Sequence, residues 1–508
     1  MGVIEDLAGT AAGWSALPLL VVLSSFVPGV GIMFLREDQH RARTTLNLAG
    51  ALLKVVFVGL MLWGVALGAR YEWSFRVLPD FELTLVGDPL ALLFVTLSAG
   101  LWLATTIYAI GYLEGSPNRT RFFSFFSLCV TATTGLAMAG DLFTFVLFYE
   151  ALTWTTYPLV VHRGTPEAIR AGRTYLIYTA TAGVLLLVGA VGVYALAGSV
   201  DFQAGGLLDP DVVADAPGTH RLVFLSMLAG VGVKIAFFPV HGWLPAAMVA
   251  PAPVTALLHA VAVVKAGAFG LLRLLHSVFG IDVATSLGLA QLVAGLAAVT
   301  IIYGSLRALY QDDLKRRLAF STVSQLSYIA LGASLLAPTA QIGGIVHLVH
   351  QGVMKITLFF CAGLLAEVLH VKKVSEMAGV GRRMPWTMLA FSVAALGMIG
   401  LPPMAGFSSK WYLGVGALES GAGWAVPVLL ASSVLNAAYF LPILHAAWFR
   451  DRDVRWDDVG RGRWLEADWK LLVPAISTAA VTLGAGLFAS APWSPLGWTT
   501  LIVEGVGL

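Results

Sequence analysis

Apolar runs long enough to cross a lipid bilayer recur along this chain from Leu17 to about Leu487. A membrane-spanning helix needs about 20 mostly apolar residues to cross roughly 30 Å of hydrocarbon. Hydrophobic residues make up 58% of the 508 positions and charged residues only 12%, a composition that excludes an ordinary soluble globule. The runs predict an all-α polytopic membrane protein with about fourteen transmembrane helices.

The chain lacks the residue patterns of redox and metal sites. Cys129 and Cys361 lie inside apolar runs, where we expect small packing residues and neither a disulfide nor a thiolate–metal bond. The glycines form no dinucleotide-binding or phosphate-binding pattern. His347 and His350 have the spacing of two metal ligands, but no acidic residue lies close to them in that run. We expect no cofactor, no metal, no nucleic-acid partner, and no redox or hydrolytic site in this chain.

The loops between the runs alternate in charge. Basic residues cluster after odd-numbered runs, whereas the other connections are acidic or nearly uncharged, as in 201–220, with Arg70, Arg76 and Arg273 as exceptions. By the positive-inside rule the basic loops are cytoplasmic, which predicts an inner (plasma) membrane protein with both termini on the periplasmic or outer face. The basic loops are 36–43, 114–121, 162–173, 307–317, 371–383 and 450–463.

Ionisable residues lie deep inside four of the runs: Glu150, Lys234, Lys265 and Lys355. At 1.5 Å per residue each is about 14 to 21 Å from a polar end of its run, near the middle of the membrane. A charge facing lipid there costs at least about 2.5 to 3.5 kcal/mol, so these side chains are expected to face a bundle interior or a hydrated cavity. Glu150 is the natural partner for Lys234.

Two interpretations of these charges remain open. A single carboxylate and lysine could be a static ion pair that fixes helix orientation. Three buried lysines against one buried glutamate cannot all be neutralised by pairing, which favours desolvated amines that bind and release protons. The excess of lysine therefore indicates a proton relay.

Histidines and other polar residues extend this pattern. His347, Gln351 and Lys355 are spaced to share one helix face, and the preceding run carries a similar stripe. Such stripes can carry protons between titratable groups, and they also serve helix association. His259 precedes Lys265 by six residues, about 120° round a helix, so it is expected to face a neighbouring segment.

An internal repeat places a further lysine. The segment AGVGVK (229–234) is echoed by AGFSSK (405–410), which adds Lys410 to the candidates. Both spans are interrupted by proline, at Pro239 in the first and at Pro402 and Pro403 in the second. Broken helices in corresponding places of two halves indicate an ion site near the membrane midplane.

Several segments resemble one family. GVKIAFFPVHGWLPAAMVAPAPVTALLHAVAVVKAG is similar to the signature of the proton-conducting antiporter-like membrane subunits. That family comprises the antiporter-like subunits of respiratory complex I, the A-type and D-type subunits of Mrp-type multisubunit sodium/proton antiporters, and related subunits of membrane-bound hydrogenases. DLKRRLAFSTVSQLSYI, HLVHQGVMKITLFFCAG and GLPPMAGFSSKWYL match further family blocks, so the resemblance covers at least residues 85 to 450.

The resemblance implies an architecture of fourteen helices with two inverted five-helix repeats, in which helices 7 and 12 are broken. On this basis the chain divides into N-terminal helices 1–3 (1–113), a first repeat of helices 4–8 (114–280), a second repeat of helices 9–13 (281–450), and a loop, helix 14 and tail (451–508).

The resemblance also implies roles for individual residues. Glu150 and Lys234 correspond to the glutamate and lysine whose separation gates proton uptake, and Lys265 to the connecting lysine of helix 8. Lys410 corresponds to the terminal residue that exchanges protons with the far side. The implied proton relay consists of Glu150, Lys234, Lys265, His259, His347, His350, Lys355 and Lys410.

Within the family, lysine at 410 speaks against the complex I subunit that resembles this chain but has glutamate there. The segment KWYLGVGALESG and the short tail favour the D type of Mrp antiporter subunit, with monovalent cation (sodium)/proton antiport as the function. The expected partners are further membrane subunits of one complex, the lipid bilayer, protons, and sodium or potassium ions. The second hypothesis is a proton-pumping subunit of a complex I-like NADH–quinone oxidoreductase or of a membrane-bound hydrogenase. A stand-alone solute transporter and a purely structural subunit are the remaining hypotheses.

Overall fold

The computed structural model describes residues 15–78, 81–451 and 466–505, and within them the fold is mostly helical. The first fourteen residues and most of the predicted basic loop 450–463 lie outside the described residues. The longer helices are α1 (Leu17–Met33), α2 (His40–Ala66), α3 (Pro89–Tyr112), α4 (Arg119–Ala137), α5 (Leu142–Val160), α6 (Pro166–Ala197), α7 (Pro217–Ile235), α8 (Ala252–Ala260), α9 (Val263–Arg273), α10 (Leu289–Leu309), α11 (Leu314–Ser334), α12 (Pro338–Val368), α13 (Pro385–Ile399), α14 (Ala405–Glu419), α15 (Ala425–Phe449), α16 (Trp469–Leu487) and α17 (Pro495–Gly505). Shorter helical segments span Pro210–Asp215, Trp243–Ala246, Gly280–Ser286 and Val380–Arg383.

Apolar length confirms a multi-pass membrane protein. In the part of the chain that the structure describes, eight helical segments are long and apolar enough to cross a bilayer. Others, such as α5 and α11, have a less apolar composition because threonine, serine, tyrosine and glutamine lie among their apolar residues. The eight segments are α2, α3, α6, the combined stretch Ala252–Val278, α10, α12, α15 and α16.

Several helices begin at side-chain caps that the sequence supplies. Asp88, Asp141, Thr165 and Asp313 each accept a hydrogen bond from the backbone N–H three residues further on, at the starts of α3, α5, α6 and α11. Such caps satisfy backbone donors that the first turn of a helix leaves unpaired. These residues therefore fix where four helices enter the bundle.

A β-hairpin departs from the all-α prediction. Strands β1 (Glu72–Leu78) and β2 (Phe81–Val86) pair antiparallel between α2 and α3. The alternating polar and apolar residues of FELTLV suit a half-exposed strand, which a search for long apolar runs overlooks. Arg76 lies 3.3 Å from Glu82 across the hairpin, so one exception to the loop-charge pattern has a local carboxylate partner.

Three interruptions divide the helices near the centre of the bundle. Between Ala236 and Gly242, after α7, the chain is not helical, nor is it between Gly400 and Met404, after α13. These are the two breaks that the prolines predict. A third break, at Val261 and Ala262, separates α8 from α9 and has no proline.

The centre of the bundle is formed by α8, α9 and α12. The most apolar windows of Ala252–Val278 and of α12 are 100% buried, whereas that of α2 is only 33% buried. Helices α2, α6 and α15 carry rows of exposed apolar side chains, including Val56, Val188 and Val434. Polar residues of the central helices are therefore shielded from the bundle surface by the helices around them.

Candidate functional site

Lys234 lies fully buried in the last turn of α7. Its Nζ donates a hydrogen bond of 2.6 Å to the backbone oxygen of Tyr149 and sits 3.3 Å from the centroid of that tyrosine ring. The Tyr149 hydroxyl donates to the backbone oxygen of Gly230 at 2.7 Å, which is a second contact between α5 and α7. A backbone carbonyl and an aromatic face therefore hold the ammonium.

Glu150 follows Tyr149 but makes no ion pair with Lys234 in the part of the chain that the structure describes, so the predicted direct pair is absent. One carboxylate oxygen, Oε1, is buried without a hydrogen bond. The carboxylate occupies space beside Gly183 of α6, and a Cβ at position 183 would overlap Oε1. The glycine thus leaves room for the acid next to the lysine's carbonyl ligand.

Lys265 lies just beyond the break between α8 and α9. Its Nζ donates to the backbone oxygen of Leu348 on α12 at 2.7 Å. His259, before the break, has its Nδ1 2.9 Å from the hydroxyl of Thr322 on α11 and its ring against Phe359. His259 therefore faces neighbouring helices, but the break at Val261 and Ala262 means that the 120° offset of a continuous helix does not apply.

His347 and Lys410 meet around one tyrosine. The His347 ring stacks on Tyr328, with centroids 5.2 Å apart, and Lys410 Nζ lies 5.3 Å from the same ring. The histidine nitrogens contact Ser409 at 2.8 Å and Gln325 at 3.1 Å. These contacts bring the residues on α11, α12 and α14 into one cluster.

Lys410 also caps the broken end of α13. Its Nζ donates to the backbone oxygens of Met398 and Ile399 at 2.9 and 2.8 Å, and to Ser433 at 3.1 Å. Carbonyls at a helix C-terminus lack helical partners and carry partial negative charge, which stabilises a cation there. The break thus supplies ligands for the lysine.

Lys355 is linked to the C-terminal end of α13 by hydrogen bonds between side chains. Its Nζ donates to the Ser321 hydroxyl at 2.7 Å and to the backbone oxygen of Leu318 at 3.1 Å. The Tyr439 hydroxyl lies 2.8 Å from Ser321 and 2.6 Å from Asn436, whose amide donates to the Met398 oxygen. Lys355 and Lys410 therefore share a hydrogen-bonded path through α15.

Several buried polar atoms near these lysines and histidines have no hydrogen-bond partner among the described residues. They include both side-chain polar atoms of Gln351, Nε2 of Gln325 and Nε2 of His259. His350 is buried on α12 next to the backbone of Ala405. Unsatisfied polar groups in a packed interior are costly, and clusters of them mark places where water is expected. We call the line formed by Lys234, Lys265, His347, Lys355 and Lys410 the basic axis.

The sequence interpretation missed several participants. Tyr149, Ser409, Asn436 and Tyr439 are ligands or links that only the helix packing reveals. Lys54, in the apolar run ALLKVVFVGLMLWG (51–64), is fully buried and carries the same signal as the predicted lysines. A search for every lysine inside an apolar run finds it.

Comparison with known proteins assigns the chain to a family. Residues 139–436 match the family model described as NADH:quinone oxidoreductase/Mrp antiporter, TM, and residues 78–123 match the N-terminal model of NADH-ubiquinone oxidoreductase (complex I) chain 5. The N-type subunit of the NADH-quinone oxidoreductase of Desulforudis audaxviator is 35% identical over 92% of this chain and 95% of its own length. The D-type subunit of the Na(+)/H(+) antiporter of Alkalihalophilus pseudofirmus is 24% identical over 94% of each chain.

Solved structures share the fold. A chain of the Mrp complex from a Dietzia species superimposes with a TM-score of 0.83 at 23% identity, over 97% of both chains. A chain of the archaeal membrane-bound sulfane sulfur reductase gives a TM-score of 0.82, also at 23% identity. The helical bundle with its buried lysines defines an antiporter-like membrane subunit. The chain belongs to the NADH:quinone oxidoreductase/Mrp antiporter family.

Proposed function

We propose that this chain translocates protons across the membrane as a subunit of a multisubunit complex, in exchange for a monovalent cation such as sodium. The proton relay consists of Glu150, Lys234, Lys265, His259, His347, His350, Lys355 and Lys410. The observation that carries the proposal is the basic axis, in which lysines on α7, α9, α12 and α14 are held by carbonyls and hydroxyls, with no described carboxylate in direct contact.

The ligands of these lysines support proton transfer over a static role. A buried pair that serves only to orient helices is expected to contain a partnered carboxylate, because an unpaired buried charge is strongly unfavourable. A lysine bound by neutral oxygens can hold a proton or release it while its hydrogen bonds persist. Moving one proton through 100 mV involves about 2.3 kcal/mol, so each site must change its proton affinity by more than tenfold, which is about 1.4 kcal/mol.

Glu150 is the element that changes this affinity. Its carboxylate lies next in sequence to the residue whose carbonyl binds Lys234, and one of its oxygens has no hydrogen bond among the described residues. Approach of the carboxylate favours the charged lysine, and withdrawal favours proton release towards Lys265. The structure corresponds in this proposal to the withdrawn arrangement.

The proposed architecture has about fourteen spans in two inverted repeats, with the basic loops in the cytoplasm and both termini on the outer face. The interruptions after α7 and α13 support the two-repeat arrangement, because each lies beside a lysine of the echoed segment. Neighbouring subunits are expected against the exposed apolar faces of the bundle.

A second candidate function is proton pumping within a complex I-like assembly. It is favoured by identity, since the N-type relative from the quinone oxidoreductase is 35% identical and the D-type relative from the antiporter 24% identical over similar lengths. The relay would operate in the same way, and quinone reduction in a neighbouring subunit would supply the energy in place of a cation gradient.

The function is tested with the intact complex in proteoliposomes. Proton movement is measured under a sodium or potassium gradient, and separately with NADH and quinone, for the wild type and for Lys265→Met. We expect the variant to lose about a hundredfold of the proton flux, because it removes the amine between the two halves of the axis. Lys372→Met, at an exposed lysine, is the matched control.

Flux that responds to a cation gradient supports antiport, whereas flux that needs NADH and quinone supports the second candidate. Unchanged flux in assembled Lys265→Met complex would contradict the relay in both cases. Full transport by the purified chain alone would instead favour a stand-alone transporter.

Gly183→Ala should reduce proton flux without removing any titratable group. The new methyl group would overlap Glu150 Oε1 and displace the carboxylate from its place beside Tyr149. Displacing a reacting group by about 1 Å can cost on the order of a hundredfold. Gly295→Ala is the control, since its new Cβ would meet nothing within 4 Å. Wild-type flux in Gly183→Ala would show that the position of Glu150 does not matter.

A further inference from the structure

Lys54 lies outside the basic axis, on α2. It is 14 residues beyond His40 at the start of its helix, which places it about 21 Å along a helix that crosses the bundle. Its side chain is 0% exposed. The proposed relay does not use this lysine, and α2 contains no acidic residue that could pair with it.

The ligands of Lys54 are neutral. Its Nζ donates to the hydroxyls of Ser25 on α1 and Thr134 on α4, at 2.9 and 2.6 Å, and lies 5.0 Å from the centroid of the Trp102 ring on α3. The two hydroxyls donate their own hydrogens to the backbone oxygens of Val22 and Val130, so their lone pairs face the amine. Within the described residues, the amine is therefore ligated without a compensating negative charge.

The ionisable groups of the described helices around Lys54 also place no negative charge next to it. Helix α1 contains no ionisable residue, and the ionisable residues of α3 are Tyr108 and Tyr112, near its C-terminal end. On α4, Cys129 contacts Thr156 of α5 and so points away from Lys54. The remaining charged groups of these helices and of the connection between α1 and α2 lie towards the ends of α1, α2 and α4: Arg36, Glu37, Asp38, Arg41, Arg43, Arg119 and Arg121, with His40 at the start of α2.

A line of polar side chains joins Lys54 to that end of the bundle. Arg43 and Asn47 share the buried face of α2 with Lys54, and α4 presents a matching face of hydroxyl residues. Nearest the lysine, the Thr131 hydroxyl donates to Ser25 at 3.0 Å, and the Ser127 hydroxyl donates to Asn47 at 3.0 Å. The Asn47 amide then donates to the Arg43 backbone oxygen at 3.0 Å, and the Arg43 guanidinium donates to the Thr120 hydroxyl at 2.8 Å. At the outer end, the Thr120 N–H donates to the exposed carboxylate of Glu37 at 3.0 Å. We call these residues the polar column.

The column ends at Lys54. Beyond it the buried face of α2 continues with Val58 and Met61, and α1 continues with Val21 and Leu17, all less than 9% exposed. Water and protons cross such apolar packing unfavourably. On α1 and α2, the residues of the polar column therefore lie on the Glu37 side of Lys54, and the residues named beyond it are apolar.

We propose that Lys54 is a second proton-exchange site, which takes up and releases protons through the polar column at the Glu37 face of the membrane. The occupant is a proton and not a metal ion, because the amine itself is the base and the guanidinium of Arg43 stands in the column, where it repels metal cations. Hydroxyl rotation and transient water between Thr131 and Asn47 carry the proton through the inner part of the column. Water that follows the polar groups from Asn47 to Glu37 carries it through the outer part, because amide and guanidinium groups orient water without releasing protons themselves.

The site borders the proposed relay across one helix. The face of α4 opposite Thr134 contributes Cys129, which lies 3.4 Å from Thr156 on α5, the helix of Glu150. A positive charge that appears at Lys54 therefore acts on the relay through the thickness of α4. Proton concentration at the Glu37 face thereby regulates the relay, and this regulatory part of the proposal rests on the proposed function.

The exchange itself is tested by chemical labelling of the intact complex. Formaldehyde with cyanoborohydride methylates uncharged amines, and mass spectrometry measures the rate at Lys54 in the wild type, Asn47→Leu, Ser127→Ala and Ser124→Ala. Ser124 lies on the same helix but bonds to the Gly29 oxygen outside the column, so its variant is the matched control.

We expect Lys54 to be methylated in the wild type and in Ser124→Ala, and at least about tenfold more slowly in Asn47→Leu and Ser127→Ala, because an apolar side chain interrupts the column. A Lys54 that resists labelling while exposed lysines react would overturn the proposal, because the column would then not open to small polar molecules from the Glu37 face. Equal rates in all four proteins would overturn it as well, since the column would then not be the route.

Proton flux then tests the regulation. With the pH at the opposite face held constant, flux is measured against pH at the Glu37 face for the wild type, Lys54→Met and Lys54→Arg. We expect one step of the wild-type profile to be absent from both variants, because neither methionine nor arginine exchanges a proton. A wild-type pH profile in Lys54→Arg would contradict the proposed regulation, because it would show that a permanent cation at this position is enough. The labelling result stands independently of flux, so failure of the proposed function and failure of this inference are distinguishable.

Discussion

Lys234→Met is expected to lower proton flux through the assembled complex by about a hundredfold or more, as removal of an essential proton-transfer group does. Lys234→Arg is expected to be equally inactive. Arginine keeps a cation next to the Tyr149 carbonyl but does not release its proton. Flux is measured in inverted vesicles at matched expression, beside Glu150→Ala.

The arginine variant separates the two interpretations of this lysine. If Lys234 only orients helices, a permanent cation replaces it and flux persists in Lys234→Arg. Subunit composition, compared by gel filtration of the solubilised complex, shows whether assembly is preserved. Loss of flux with assembly intact in both lysine variants, and in Glu150→Ala, is the result that the relay requires.

Lys410→Met should reduce flux by about tenfold to a hundredfold, because this lysine is the last amine of the axis and is only partly buried, so water can replace part of its role. Lys410→Glu should not restore it. A carboxylate at this position would face the backbone oxygens of Met398 and Ile399, which are acceptors and cannot donate to it. Both variants are compared with the wild type in the same flux measurement.

Ser433→Ala provides the matched control for Lys410, since it removes one of three oxygen ligands and leaves the two carbonyls. A small effect is expected. A functional Lys410→Glu variant would show that a carboxyl group, which can donate to these carbonyl oxygens only while it is protonated, is enough at the broken end of α13.

The deep charges and both proline-associated breaks could be predicted from sequence because each is a local signal. A lysine in the middle of an apolar run has few physical explanations, and a proline in a span removes a helical hydrogen bond. Lys234, Lys265, Lys355 and Lys410 are all found in the buried or partly buried interior. The hairpin was missed because its strands are short and half-exposed.

The partners of these residues could not be predicted in the same way. That Lys265 binds the carbonyl of Leu348 follows from how α9 packs on α12, and the break at Val261 that sets its position has no sequence marker. The sequence predicts Glu150 as the partner of Lys234 only because the two side chains carry opposite charges. The structure instead gives the lysine a carbonyl, since the path of α5 places the backbone of Tyr149 closer than the carboxylate.

The oxygen ligands of Lys234, Lys265 and Lys410 include backbone atoms of Tyr149, Leu348, Met398 and Ile399. Every amino acid supplies the same backbone oxygen, so substitution of Leu348, Met398 or Ile399 leaves the ligand chemistry unchanged as long as the helix keeps its course. At Tyr149 the side chain matters as well, because its ring contacts Lys234. A scan that replaces side chains one at a time will therefore detect the lysines but not what binds them. We expect natural variants to tolerate other apolar side chains at Leu348, Met398 and Ile399 and to preserve the geometry of the helix breaks.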